Sequence, residues 1–165
     1  MIITILSIGL LLLVFIQDLM DRKVYWFLFL MLFLVGNIEL FSNNNMRFAV
    51  ENLTINLFFI LIISGIVYLY FKVVRRKNNS FLKNQIGLGD AFLFIAITPF
   101  LLTEEFILFF NLSLIFSLSI SIPFLLRSRS FQIPLAGFQS LFLALVLILK
   151  LLDLNVLAHL INSYI

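Results

Sequence analysis

Asp18 and Asp90 are the residues of this chain whose type and setting suit acid–base chemistry. Each sits at the end of a separate apolar segment. An ionised carboxylate near lipid is costly, about 2.5 to 3.5 kcal/mol at the centre of a membrane helix and less toward the interface, so such acids commonly serve a function. Two carboxylates within a few ångströms do not readily both ionise. They share a proton and titrate as one unit. The ionised member can then take a proton from water as it attacks a carbonyl, while the protonated member donates to the carbonyl oxygen, which is the requirement of peptide hydrolysis. Asp90 closes the run Gly87-Leu88-Gly89-Asp90. There the missing Cβ atoms of Gly87 and Gly89 allow a sharp turn or the close approach of another chain. The start of a helix also favours a carboxylate, through the macrodipole and the free N–H groups.

No metal or cofactor is needed for this chemistry, and the sequence offers few ligands for one. It has no cysteine and a single histidine, His159, so neither a thiolate site nor a histidine cluster is expected. His159 itself reads as structural or solvated.

The elements that must position the two acids are membrane helices. Of 165 residues, 63% are hydrophobic and 12% charged, with a net charge of +3, a balance typical of a bundle of spans. The basic residues lie in short loops without interleaved aromatics, which argues for membrane orientation and against nucleic-acid binding. Six stretches are long and apolar enough to be spans: Ile2 to Gln17, Val24 to Phe41, Thr54 to Val73, Ile86 to Leu102, Phe106 to Leu126 and Ile133 to Leu152. Continuous apolar runs of this kind are helices, because lipid-facing barrel strands alternate. The first segment lacks a basic n-region and a small-residue cleavage site, so it reads as a retained helix. The connectors Asp18 to Lys23, Ser42 to Leu53, Val74 to Gln85, Thr103 to Glu105 and Arg127 to Gln132 are too short for a further domain. The expected fold is therefore an all-α, polytopic six-helix bundle over residues 1–165.

Orientation follows from Lys and Arg, which are retained on the cytoplasmic side. With the N-terminus outside, the inner side holds Arg22, Lys23, Lys72, Arg75, Arg76, Lys77, Lys83, Arg127 and Arg129, and the outer side keeps Arg47 and Lys150. Glu39, Glu51, Glu104, Glu105 and Asp153 fall outside. The predicted topology is N-out and C-out, which puts Asp18 and Asp90 at one cytoplasmic boundary.

Several residues carry a plainer reading. Asp18 could simply end a helix, and Asp90 could simply cap one. Asp21 is a rival for the role of Asp18, although a salt bridge with Arg22 or Lys23 suits it better. Arg22 and the basic loop read as topology determinants or headgroup contacts. Trp26, Tyr68 and Tyr70 read as interfacial anchors. Pro99 and Pro123 are expected to kink spans four and five, and Asn111 to make a buried interhelical hydrogen bond. The 21 phenylalanines read as lipid-facing and packing material.

Taken together, these residues resemble the type IV prepilin peptidases and archaeal preflagellin peptidases, membrane aspartic proteases of the GxGD type, over nearly the whole chain. Asp18-Leu19, followed by Arg22 and Val24, is similar to the family pattern D-L-x-x-R-x-I-P-N, and Gly87-Leu88-Gly89-Asp90 is similar to its G-x-G-D. The segment from Ile133 and Pro134 to Gly137 and Phe138 resembles I-P-x-x-P-F. The chain departs from these patterns at Tyr25 and Trp26, where proline and asparagine are usual, at Phe92, where lysine is common, and at Gly137, where a second proline is frequent. The resemblance implies a stand-alone peptidase core without the N-methylation region. It would be an aspartic endopeptidase of the inner membrane that cuts the short basic leader of prepilin-like proteins at the cytoplasmic face, commonly after glycine, with Asp18 and Asp90 as catalytic dyad. Two other readings are an inactive relative serving as a membrane assembly partner, and a small proton-coupled transporter. A transporter would place acids along a path across the membrane and bring broken helices or repeats.

Overall fold

The computed structural model describes residues 1–74, 88–127 and 134–152. Gly87, the basic residues from Arg75 to Lys83, Arg129, Ile133, Asp153 and His159 lie outside the described residues. Within them there are six α-helices and no strand: α1 (Ile2–Asp21), α2 (Trp26–Asn43), α3 (Met46–Val74), α4 (Leu88–Ile97), α5 (Thr103–Arg127) and α6 (Leu135–Leu151). Of these, α1, α2, α3 and α5 are long and apolar enough to cross a membrane, whereas α4 and α6 are shorter apolar helices.

Many large apolar side chains point outward on these helices, among them Leu6, Leu13, Leu34, Phe58, Leu61, Ile66 and Ile115. Water would make so much exposed apolar surface a liability, but in lipid it is the ordinary solvent contact. The buried face of α1 runs Thr4, Ser7, Leu11, Val14 and Asp18, a three-then-four spacing that keeps one stripe facing inward. That stripe packs on α6, the most extensive helix pair in the bundle, while α2 packs on α4. On α6 the residues Gly137, Ser140 and Ala144 share a face, and small side chains let helix backbones approach where lipid supplies no hydrophobic drive.

The helix ends differ from the sequence expectation for identifiable reasons. Helix α1 continues past Gln17 to Asp21 and stops at Arg22, whose left-handed backbone (φ 52°) forms the C-cap. Asp18 thus lies one turn inside the helix. The Gln17 side chain accepts from the Tyr25 N–H at 3.3 Å, tying α1 to the start of α2. Helix α3 begins at Met46 instead of Thr54, because Ala49, Asn52, Asn56 and Ile60 form a single buried face. Residues taken for loop are its first two turns, and the true turn is Asn44-Asn45, with Asn44 Nδ2 donating to Leu40 O at 3.0 Å.

Proline ends α4 early. Thr98–Phe100 is a 3₁₀ turn with Pro99 near its start, so Pro99 terminates the helix instead of kinking it. A helix broken at membrane depth leaves carbonyls without partners, and each must be satisfied within the protein. Two asparagines of α3 do this. Asn56 Nδ2 donates to Thr98 O and Leu101 O, both at 3.1 Å, and Asn52 Nδ2 donates to Leu101 O at 3.1 Å. Asn52 Oδ1 in turn accepts from Thr103 Oγ1 at 3.0 Å. The Pro99 turn is also pressed onto Gly36 of α2, where an added Cβ would lie 2.6 Å from side-chain carbons of Pro99 and Phe100.

Thr103 to Glu105, read as a connector, is the first turn of α5. Glu105 reaches back to accept from the Leu102 N–H at 3.3 Å, half of a capping box, and pairs with Lys150 of α6 at 2.6 Å. Asn111 is a correction. It is exposed, and its Nδ2 donates to Ile107 O within the same helix at 2.8 Å.

Candidate active site

The N-terminus of α6 gathers the two acids. Phe138 N is the first amide of this helix to bond to a carbonyl of its own chain segment, Pro134 O at 3.1 Å. The amides before it are free for other acceptors, as helix geometry requires. Gly137 N donates to Asp18 Oδ2 at 2.6 Å, and the Ala136 N–H donates to the Asp90 carboxylate. Two consecutive amides thus hold carboxylates from α1 and α4, which lie close enough to interact electrostatically. The positive end of the α6 macrodipole faces both.

Each backbone accounts for its own part. Asp18 is only 8% exposed because it continues the buried stripe of α1, and Arg22, one turn on, interacts with it electrostatically. Asp21 is exposed, off that stripe. Asp90 lies in the first turn of α4. Gly89 has an ordinary backbone angle and open space beside it, so it does not turn the chain but leaves the approach to Asp90 uncrowded. Gly137 sits in a close contact: an added Cβ would lie 3.1 Å from both Cβ and Oδ2 of Asp18 and 3.4 Å from Phe15 O. A proline at this position would have no N–H to give Asp18.

Between α2 and α4 an apolar groove of about 450 Å³ is lined by Trp26, Phe29, Leu30, Phe33, Phe92, Ile95 and Ala96. Phe92 stacks on Phe29 with ring centroids 6.5 Å apart. A charged lysine there would make this wall polar, so Phe92 keeps the groove wholly apolar. Trp26 and Tyr25 at the start of α2 are exposed. A second, more polar cavity of about 310 Å³ lies at the opposite end of the bundle, lined by Thr4, Glu39, Leu101, Glu105 and Lys150 among others. There Thr4 Oγ1 donates to Glu39 Oε1 at 2.9 Å. Among the described residues no cluster of three or more His, Cys, Asp or Glu side chains gathers.

Sequence reasoning alone did not reach the Ala136 and Gly137 amides, because backbone donors carry no residue signature. It also passed over Gln139, two residues further along α6, whose carboxamide is fully buried with neither Oε1 nor Nε2 hydrogen-bonded. Each such group costs about 1 to 3 kcal/mol. A lone glutamine in an apolar helix was the available signal.

A helical membrane protein with a buried and a half-buried carboxylate meeting at a helix N-terminus is the class that fold and site define. A model described as the type IV leader peptidase family matches residues 5–122, and the chain belongs to that family. Both aspartates fall within the match, and α6 lies beyond it. Membership makes the chain a leader-peptidase-like protease. Comparison with curated proteins and with solved structures finds no match.

Proposed function

We propose that the protein is a membrane aspartic endopeptidase that removes the basic leader of prepilin-like proteins at the cytoplasmic membrane face, with Asp18 and Asp90 as the catalytic dyad. The observation that carries this reading is the holding of both carboxylates by adjacent amides of α6 in a chain of the leader peptidase family. One carboxyl is ionised and takes a proton from water as its oxygen attacks the scissile carbonyl. The other donates its proton to the carbonyl oxygen. As the tetrahedral intermediate collapses, the C–N bond breaks, the amine leaves with a proton from the first acid, and the second recovers its own. The Gly137 amide holds Asp18 in place, so little reorganisation of that acid is needed at the moment of reaction.

In this reading six spans run N-out and C-out, with the basic loops and the dyad on the cytoplasmic side. The apolar groove between α2 and α4 takes the first turns of the substrate's own membrane helix, entering laterally from lipid. The junction between that helix and its basic leader then lies at the depth of the two acids. Co-expression with a prepilin-like substrate and mass spectrometry of the product tests the reading. Cleavage at the leader junction is the expected result, and an intact substrate beside correctly inserted enzyme would favour an inactive relative that serves in assembly.

A further inference from the structure

Gln139 stands one turn along α6 from Ala136, whose amide holds Asp90. Residues three apart on a helix share a face, with Cβ atoms about 5–6 Å apart. Long helical side chains lean toward the helix N-terminus, the end of α6 whose amides meet the two aspartates. It is fully buried, yet its donor and its acceptor are both unbonded. Two idle polar groups on one interior side chain destabilise the free protein, and a leucine of similar size would avoid that loss. Helix α6 packs heavily on α1 and α5 and more lightly on α4. The α4–α6 seam thus has the least packing to lose when a peptide enters, while the Gly137 amide keeps its hold on Asp18 across the α1–α6 seam.

We propose that Gln139 is a substrate-positioning residue whose carboxamide is kept free for the backbone of an extended peptide at the scissile junction. In an extended chain the N–H and C=O of one residue point to the same side. A single carboxamide offers one acceptor and one donor side by side, and so can bond both. Such a contact reads backbone conformation and not side chains: it favours a substrate whose junction is unwound over one that is still helical, since a helix spends those same groups on itself. This assignment rests on the reading of Asp18 and Asp90 as the hydrolytic pair.

The test uses the full chain with Gln139→Leu and Gln139→Met, each alone and combined with Asp90→Asn. The probe is a synthetic peptide with a basic leader, a glycine junction and an apolar helix, carrying a photocrosslinker beside the junction. Both single variants are expected to melt at or above the wild-type temperature. Their KM for the probe should rise at least fivefold with a smaller change in kcat, and crosslinking in the Asp90→Asn background should fall at least fivefold. Unchanged crosslinking overturns the proposal, and so does a lower melting temperature in both variants, which would mark Gln139 as ordinary core. Crosslinking does not depend on turnover. Cleavage that persists in Asp90→Asn would thus sink the hydrolytic reading while crosslinking still judged Gln139 separately.

Discussion

Gly137 and Asp18 are 119 residues apart in sequence and 2.6 Å apart in space, joined by a hydrogen bond from the glycine amide to Oδ2. The contact needs the N–H of residue 137, and the absence of a Cβ there lets the carboxylate come this close. Gly137→Ala keeps the donor but places a methyl 3.1 Å from the carboxylate, forcing Asp18 to shift by a few tenths of an ångström. Misplacing a catalytic group on this scale lowers the rate by about tenfold. Steady-state cleavage assays should show that loss mainly in kcat, and wild-type kcat in the variant would mean that the close approach plays no part in the reaction.

The asparagines of α3 stand in for backbone bonds lost where Pro99 ends α4. Asn56→Leu removes two donations, to Thr98 O and Leu101 O, and leaves the Thr98 carbonyl facing an apolar side chain. Removal of the unbonded Oδ1 of Asn56 offsets part of this. A net destabilisation of about 1–2 kcal/mol is expected, measurable as a lower unfolding midpoint in detergent. An unchanged midpoint would show that the turn holds without α3.

Leu30 lines the apolar groove between α2 and α4 and is about half exposed. Leu30→Trp fills part of that groove without touching either acid. If the groove seats the substrate's membrane helix, KM should rise several-fold while thermal stability stays within about 0.5 kcal/mol of wild type, the range ordinary for surface positions. An unaltered KM would move the entry route elsewhere.

Hydrophobic run length made the helices legible from sequence, because about 20 apolar residues have few alternatives in a membrane protein. Asp18 and Asp90 stood out for the same reason, as acids at the ends of apolar runs. What composition could not convey was helix start and stop. Asn52 is polar, so the stretch around it resembled a loop, yet its side chain is buried because α3 uses it to satisfy Leu101 O. Thr103 to Glu105 looked like a connector because a capping turn is polar by nature. Asp18 and Asp21 were hard to rank by type, and the buried stripe of α1 separates them by facing one inward and the other out. The meeting of Asp18 with Asp90 depends on two backbone amides of α6, and no run of side chains announces those.

The most direct test of the dyad compares wild type with Asp18→Asn, Asp90→Asn and Asp21→Asn in cleavage of a co-expressed prepilin-like substrate, read by mass spectrometry. Asparagine preserves size and can still accept from the Gly137 and Ala136 amides, but it can neither take up nor release the proton in transit. Processing should vanish in Asp18→Asn and in Asp90→Asn while Asp21→Asn cuts as wild type. Persistent cleavage in either of the first two would contradict the assignment.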